Sequence, residues 1–173
     1  MQFYSGFSLK NEQSFFEPYL DKSAFCIAGF SYGAIKAFKE VCKCIDTGKR
    51  VDRLQLFSPA FFQTKSVKFK KLQLMGYGRS DKNYLQNFRA LCFSPYKEQS
   101  LAYVPTTLDE LKELLFFEWS YADIQKLSDA GVSVEVYLGG CDAIIDRESA
   151  REFFVDVATV IYIKEANHML QIQ

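Results

Sequence analysis

Histidine and net charge are what this sequence lacks most. It contains one histidine, and its 21 lysines and arginines are balanced by 21 aspartates and glutamates. A chain without net charge has no overall positive field to attract a nucleic acid, so we expect no nucleic-acid partner. One imidazole, together with a Cys42-x-Cys44 spacing that is not typical of zinc knuckles, argues against a metal site. We also expect no cofactor.

Long apolar runs are absent as well. No stretch approaches the roughly 18 apolar residues that suggest a membrane-spanning helix, and no basic segment followed by an apolar one opens the chain. We therefore expect a cytoplasmic protein without a membrane partner. A length of 173 residues predicts a single domain, residues 1–173. The odd number of cysteines favours buried free thiols over a disulfide framework: Cys26, Cys42, Cys44, Cys92 and Cys141.

Residues 24–38 carry the most specific pattern in the chain. A short apolar run ends in Gly29-x-Ser31-x-Gly33, and a helical spacing of apolar residues begins at once. Strand, sharp turn and helix are the context that a nucleophile elbow requires. We expect side chains at positions 29 and 33 to collide with the neighbouring strand and helix, which gives both glycines a steric role. The alternative is an ordinary loop in which Ser31 caps the helix.

Strand and helix patterns alternate around this motif. The alternation predicts an α/β fold with a mainly parallel sheet. Between about residues 60 and 130, helical patterns occur without a convincing strand, which predicts an all-helical insertion that lies as a lid over the carboxyl edge of the sheet. Strands are predicted at 2–4, 25–28, 54–57, 132–138 and 159–163, helices from 34 to about 45 and at 147–155, and a helical apolar face at 15–20.

Three polar residues each follow a predicted strand, and they occur in the order Ser31, Asp142, His168. The loops after parallel strands open at the same sheet edge, and this order is that of the α/β-hydrolase triad. A serine hydroxyl is a poor nucleophile unless an imidazole takes its proton and a carboxylate orients that imidazole. A lone histidine is more often structural, but its position after the last strand favours the base. Asp146 is the alternative acid, although it precedes a helix that it can cap.

An oxyanion hole requires two backbone N–H donors. The Tyr32 N–H lies at the predicted start of the elbow helix, and the loop after the first strand offers the Phe7 N–H. The alternative for Gly6-Phe7 is a plain turn at the end of a strand.

Four motifs in this chain resemble those of the pimeloyl-acyl-carrier-protein methyl ester esterases of biotin synthesis, in particular the short BioV type. They are Ser5-Gly6-Phe7-Ser8, Gly29-Phe30-Ser31-Tyr32-Gly33, Gly140-Cys141-Asp142 and Ala166-Asn167-His168. The resemblance implies a reduced α/β-hydrolase fold with about five strands, because the family's usual first strands and last helix have no counterpart here. One face of such a sheet is thinly covered, and a homodimer is one way to hide it.

The resemblance also implies an activity. Family members hydrolyse the methyl ester at the far end of a pimeloyl chain on acyl-carrier protein, and release methanol. By position, Ser31 becomes the nucleophile, His168 the base and Asp142 its orienting acid. Phe7 and Tyr32 become the oxyanion donors. The alternatives are a general serine carboxylesterase or thioesterase with another acyl substrate, and a binding protein that has kept the elbow without catalysis.

The charges of the insertion are segregated. Residues 64–89 contain seven cations and one acid, whereas residues 109–123 contain five acids and one lysine. Acyl-carrier proteins are acidic, so the basic segment is a candidate docking surface, and the alternative is an ordinary solvated helix face. The lysines assigned to carrier binding are Lys65, Lys68, Lys70 and Lys71. Aromatic residues that could line an acyl channel, or else pack in the core, are Phe61, Phe62, Trp119 and Tyr121.

Overall fold

The computed structural model describes all residues, 1–173, and is built around a five-stranded parallel sheet. The strand order is β1-β3-β4-β6-β7, and a separate two-stranded ribbon joins β2 and β5. The elements are β1 (Gln2–Tyr4), β2 (Leu9–Lys10), a 3₁₀ helix (Glu12–Phe16), β3 (Cys26–Phe30), α1 (Tyr32–Asp46), β4 (Arg53–Phe57), α2 (Val67–Arg79), α3 (Asp81–Phe93), β5 (Ala102–Tyr103), α4 (Leu108–Phe116), α5 (Tyr121–Asp129), β6 (Ser133–Gly139), α6 (Arg147–Val155) and β7 (Thr159–Ile163).

The register of the sheet brings the strand ends to a common edge. Phe30 at the end of β3 lies opposite Phe57 of β4, which lies opposite Tyr137 of β6, and Gly139 at the end of β6 lies opposite Ile163 of β7. All pairs are parallel. The prediction of a mainly parallel sheet of about five strands is therefore confirmed, and the loops after β3, β6 and β7 leave from one edge.

The two faces of the sheet are covered differently. On one face, α1, α5 and α6 pack against the strands and form the larger apolar core. On the other, the cover consists of the 3₁₀ helix, residues around Phe93 and residues 166–170. Phe16 packs on Phe30 and Phe57 with ring centroids 4.9 and 4.8 Å apart. This thinner cover still buries the strands, so their burial does not depend on the homodimer considered above.

A buried glutamine fastens the thinner cover to the sheet. Gln55 of β4 donates to the Tyr19 carbonyl at 2.9 Å and to the Glu135 carboxylate at 2.8 Å, and it accepts from the Asp21 N–H at 2.9 Å. The segment before β3 is therefore held by hydrogen bonds to the middle of β4 as well as by aromatic packing.

The insertion between β4 and β6 is helical apart from one short strand. It contains α2 to α5, and α4 begins with the predicted capping box, in which Thr107 and Glu110 exchange hydrogen bonds. Two expectations were incomplete. Two residues of β5 pair antiparallel with β2, so the insertion is not all-helical, and the apolar face at 15–20 forms only a 3₁₀ turn. No helix combines the length and apolarity needed to cross a bilayer.

Gly29 and Gly33 allow β3, α1 and β1 to meet closely. A Cβ at position 29 would lie 2.2 Å from the Gly33 carbonyl oxygen, and a Cβ at position 33 would lie 2.0 Å from the Tyr4 carbonyl oxygen. The predicted collisions with helix and strand are therefore confirmed. Because both neighbours are backbone, neither can move aside without displacing the sheet or the elbow.

We expect Gly33→Ala to destabilise the fold by about 3 kcal/mol, because the added methyl group overpacks a backbone contact. The matched control is Gly78→Ala in α2, where a Cβ meets nothing within 4 Å. That variant should be about 0.5 kcal/mol more stable, since alanine has the higher helix propensity. Urea unfolding followed by circular dichroism measures both. Equal effects of the two substitutions would contradict the close approach at position 33.

Candidate active site

Ser31 lies on the sharp turn between β3 and α1. Its backbone adopts φ 53° and ψ −114°, a region that non-glycine residues occupy only when the surroundings impose it. Here the Ser31 N–H donates to the Phe57 carbonyl at 2.9 Å, and the Ser31 carbonyl accepts from Ala34 and Ala60. The Ser31 side chain makes no capping hydrogen bond to α1. Helix capping, the alternative considered for this serine, therefore does not account for it.

Asp142 and His168 form a buried pair. The Asp142 Oδ2 and His168 Nδ1 atoms are 2.6 Å apart, and neither side chain is exposed. The other carboxylate oxygen of Asp142 accepts from the N–H groups of Ile144 and Ile145 at 2.8 and 3.2 Å. The N–H donors that fix the orientation of the carboxylate thus come from its own loop, and the carboxylate in turn orients the imidazole.

Asp146, the alternative acid, is engaged elsewhere. One of its oxygens accepts from the Ser149 N–H at the start of α6, and the other accepts from the Thr64 hydroxyl at 2.9 Å. These hydrogen bonds, with the nearby Lys65 ammonium, hold the pKa of Asp146 below its usual range although partial burial opposes this. The carboxylate that faces the imidazole is that of Asp142.

The remaining nitrogen of His168 is buried and has no hydrogen-bond partner. The Ser31 hydroxyl forms no hydrogen bond with it, so the structure joins only two of the three side chains directly. Ser31 is nevertheless close in the fold, because the ring of the preceding residue, Phe30, packs on the imidazole at 4.9 Å between centroids. Hydrogen bonds of this kind are often long without substrate and tighten when it binds.

Backbone contacts lock the two loops of the acid and the imidazole together. The Gly140 and Cys141 N–H groups donate to the Ile163 and Ala166 carbonyls at 2.9 and 2.8 Å. The buried side chain of Asn167 then donates to the Phe93 carbonyl at 2.8 Å and accepts from Met169 and Gln171. Sequence reasoning missed Asn167. The one sequence signal that could have pointed to Asn167 is its position directly before the lone histidine.

The residues that carry the two candidate oxyanion donors, Phe7 and Tyr32, are in contact through their rings. The Phe7 N–H has no acceptor within the protein, and Tyr32 is the first residue of α1, where N–H groups lack helical partners. The rings of Phe7 and Tyr32 meet edge to face at 6.2 Å. The Tyr32 hydroxyl donates to Glu113 of α4, and burial and this hydrogen bond raise the pKa of Tyr32 well above its ordinary value.

An apolar chamber of about 310 Å³ adjoins this region, between α2, α3, α4 and the loop after β6. It contacts both Phe7 and the residues that follow Asp142, whereas Ser31 and His168 are not in its wall. A larger and more open groove, of about 560 Å³, contains none of the predicted site residues. The chamber lining consists of Phe7, Phe62, Phe69, Gln73, Tyr84, Asn87, Phe88, Leu91, Leu111, Leu114, Leu115, Ala143 and Ile144.

Of the four aromatic residues considered for an acyl channel, one lines the chamber and the other three lie elsewhere. Phe62 lines the chamber. Phe61 packs on Phe153 and Phe154 in the core. Trp119 is buried and donates to the Ala60 carbonyl at 2.9 Å. Tyr121 is 47% exposed.

The four lysines assigned to carrier binding differ in their exposure and partners. Lys68 and Lys71 are exposed on α2, and Lys65 pairs with Asp146 at 3.7 Å. Lys70 is only 5% exposed, and its ammonium lies 5.0 Å from the centre of the Phe116 ring. Helical spacing turns position 70 away from positions 68 and 71, so Lys70 does not belong to an exposed docking surface. The same exposed face of α2 carries Val67, Leu72 and Met75.

No group of three or more histidine, cysteine, aspartate or glutamate side chains is arranged to hold a metal ion. The five cysteines are unpaired.

Comparison with known proteins identifies the fold. No protein-family model matches the chain, and no curated protein matches it in sequence. Solved structures do match. A hydrolase from Oleispira antarctica superposes with a TM-score of 0.66 at 12% identity, over 85% of this chain and 59% of that one. Naproxen esterase from Bacillus subtilis gives 0.54 at 18% identity, over 85% and 54%.

BioG from Haemophilus influenzae, a chain of more similar length, gives a TM-score of 0.57 at 10% identity, over 98% of this chain and 88% of that one. The chain thus spans less than two thirds of the first two proteins and most of the third. At these identities the likeness concerns the backbone. The protein has an α/β-hydrolase fold, reduced to a five-stranded parallel sheet with a largely helical insertion.

Proposed function

We propose that the protein is a serine esterase in which Ser31 is the nucleophile, His168 the general base and Asp142 the acid that orients it. The observation that carries the proposal is the combination of two features at one sheet edge. Ser31 is held on a strained elbow without capping the helix, and a buried Asp142–His168 pair leaves one imidazole nitrogen unpartnered. A buried nitrogen without a partner is rare in stable proteins unless it has a role.

The mechanism follows from this arrangement. Because Asp142 accepts a hydrogen bond from the Nδ1–H of His168, the lone pair is left on Nε2, where it can take the Ser31 proton. Ser31 Oγ then attacks the ester carbonyl carbon, and the oxyanion is stabilised by the N–H groups of Phe7 and Tyr32. The tetrahedral intermediate collapses as His168 returns the proton to the leaving alcohol. Water, deprotonated by His168, next attacks the acyl-enzyme and releases the free acid, which regenerates Ser31.

Access to Ser31 requires motion of the insertion. Ser31 and His168 are 1% and 0% exposed, so a substrate has no direct route to them in this conformation. The helix α4 is tied to α1, because Glu113 contacts Tyr32 and Lys39 while Glu110 pairs with Lys36 at 3.5 Å. We therefore assign the opening motion to α2 and α3 rather than to α4. Such lids exclude water during the reaction.

The substrate we propose is pimeloyl-acyl-carrier-protein methyl ester, cleaved to methanol and the free pimeloyl carrier. The motif resemblance described above supports it, and two features of the structure fit it. The apolar chamber beside Phe7 suits a chain of methylene groups. The exposed face of α2 combines Lys68 and Lys71 with apolar side chains, a mixture that suits an acidic partner such as acyl-carrier protein.

A general carboxylesterase or thioesterase is the second candidate. The observation that favours it is that the chamber is almost wholly apolar, so it contains no charged group that would select for a particular acyl terminus. Both candidates use the same triad. They differ in whether turnover depends on the acyl-carrier protein to which the substrate is attached.

We expect Ser31→Ala to lower turnover of the methyl ester by about a millionfold if the three side chains act as a unit, and to abolish labelling by a fluorophosphonate. The control is Ser133→Ala. Ser133 is an exposed serine at the start of β6, the amino end of the sheet, whereas Ser31 follows β3 at the carboxyl end. It should retain turnover and labelling. Mass mapping of the labelled peptide identifies the serine that carries the fluorophosphonate. Full activity of Ser31→Ala would eliminate the serine mechanism.

We expect Lys68→Glu combined with Lys71→Glu to raise KM for the carrier-linked ester about tenfold at low salt, because like charges now face the acidic carrier. KM for free dimethyl pimelate should not change. The control, Lys43→Glu with Lys49→Glu, makes the same change in net charge at the opposite end of the sheet. If both double variants behave alike, or if the carrier-linked ester is unaffected, the general esterase is the better assignment.

A further inference from the structure

Glu12, at the start of the 3₁₀ helix, is a fully buried carboxylic acid that the mechanism above does not use. Its exposed fraction is 0%. One carboxylate oxygen accepts from the Gly6 N–H at 2.7 Å, and the other has no hydrogen-bond partner. Glutamate is rarely buried without a full set of partners, because the loss of hydration is unfavourable. The position of Glu12 therefore requires an explanation other than stability.

The group that Glu12 holds is the turn that carries a proposed oxyanion donor. Gly6 directly precedes Phe7, and the Gly6 N–H is taken by Glu12 while the Phe7 N–H is left without an acceptor. Of these two consecutive N–H groups, that of Gly6 is hydrogen-bonded to a carboxylate, and that of Phe7 is free to bind a substrate oxygen.

Packing closes the other sides of the turn. A Cβ at Gly6 would lie 2.7 Å from the Phe30 ring, so the backbone at this point is pressed against the residue before Ser31. The next residue, Ser8, has a φ of 59°, and its hydroxyl donates to the Val104 carbonyl at 2.8 Å. The Phe7 ring meets Tyr32 and Tyr77. At Gly6 itself, the carbonyl accepts from the Leu9 N–H at 3.3 Å, and Glu12 is the acceptor of the N–H.

We propose that Glu12 is a positioning residue of the oxyanion hole: by accepting the Gly6 N–H, it fixes the Ser5–Gly6 peptide, and so holds the adjoining Gly6–Phe7 peptide whose N–H is aimed at the carbonyl oxygen of the ester. This inference rests on the proposed esterase mechanism. Its effect belongs to the transition state, where negative charge develops on that oxygen, and not to binding of the neutral ester. Burial raises the pKa of Glu12 despite the Gly6 hydrogen bond, and an acceptor oxygen is available in either protonation state.

Three substitutions separate geometry from charge and from stability. Glu12→Gln keeps the length of the side chain and an acceptor oxygen but removes the charge. Glu12→Asp keeps the charge but is one methylene too short to reach the Gly6 N–H. Glu12→Ala removes both. The matched control is Glu135→Ala, which removes a largely buried acid that bonds Gln55 and Arg53 at the amino end of the sheet.

The experiment measures kcat and KM for p-nitrophenyl butyrate, binding of butylboronic acid, and the folded fraction by thermal unfolding. Butylboronic acid forms a tetrahedral anion on an active serine and so mimics the transition state. Glu12→Ala and Glu12→Asp should lose about a hundredfold in kcat, the effect of an ångström-scale misplacement, with KM nearly unchanged and boronate affinity reduced by a similar factor. Glu12→Gln should stay close to wild type. Glu135→Ala should lose stability without losing kcat per folded molecule.

Other outcomes overturn the inference in distinguishable ways. Wild-type kcat in folded Glu12→Ala would reduce Glu12 to a structural acid while leaving the esterase mechanism intact. Better activity in Glu12→Asp than in Glu12→Gln would show that charge, not the Gly6 hydrogen bond, is what matters. If Glu12→Ala does not fold, the comparison of Gln with Asp decides alone. A wild-type protein that neither turns over the ester nor reacts at Ser31 would remove the proposed function and this inference together.

Discussion

The hydrogen bond between Asp142 and His168 is the contact on which the rest of the site depends. It joins loops from β6 and β7, and it is made where no water can compete, since both side chains are buried. In such surroundings a charge-assisted hydrogen bond is stronger than at a surface, but its partners must be held in place before it forms. The backbone bonds from Gly140 and Cys141 and the side chain of Asn167 provide that support.

The elements that sequence could predict are those with a local signal. The Gly29-x-Ser31-x-Gly33 turn required glycine for reasons of close packing, and the collisions found at both positions are the expected ones. The strands after which Asp142 and His168 follow are apolar runs of ordinary length, so their ends and the shared sheet edge followed from alternation alone. The choice between Asp142 and Asp146 also followed from local chemistry, because Asp146 had a helix to cap and does cap it.

The features that could not be predicted depend on partners distant in sequence or on orientation. The pairing of Leu9 with Tyr103 involves two-residue strands, which have no periodicity to detect. Counting lysines placed Lys70 with Lys68 and Lys71, but only its position on the helix shows that it points inward. No sequence pattern marks Glu12, and only tertiary packing buries it behind the turn that follows β1. The gap between Ser31 and the imidazole is a matter of side-chain distance, which motif order does not encode.

Three unfavourable features of this fold belong to the loops that follow β1, β3 and β7. Ser31 has a strained backbone, one His168 nitrogen is buried without a partner, and one Glu12 oxygen is buried in the same way. Each destabilises the folded state, and a protein selected only for stability would replace them with apolar groups. The parallel sheet and the aromatic core tolerate them because the surrounding backbone is tightly hydrogen-bonded. Strain of this kind, close to an apolar chamber, is what the proposed site needs if it is pre-organised for an anionic transition state.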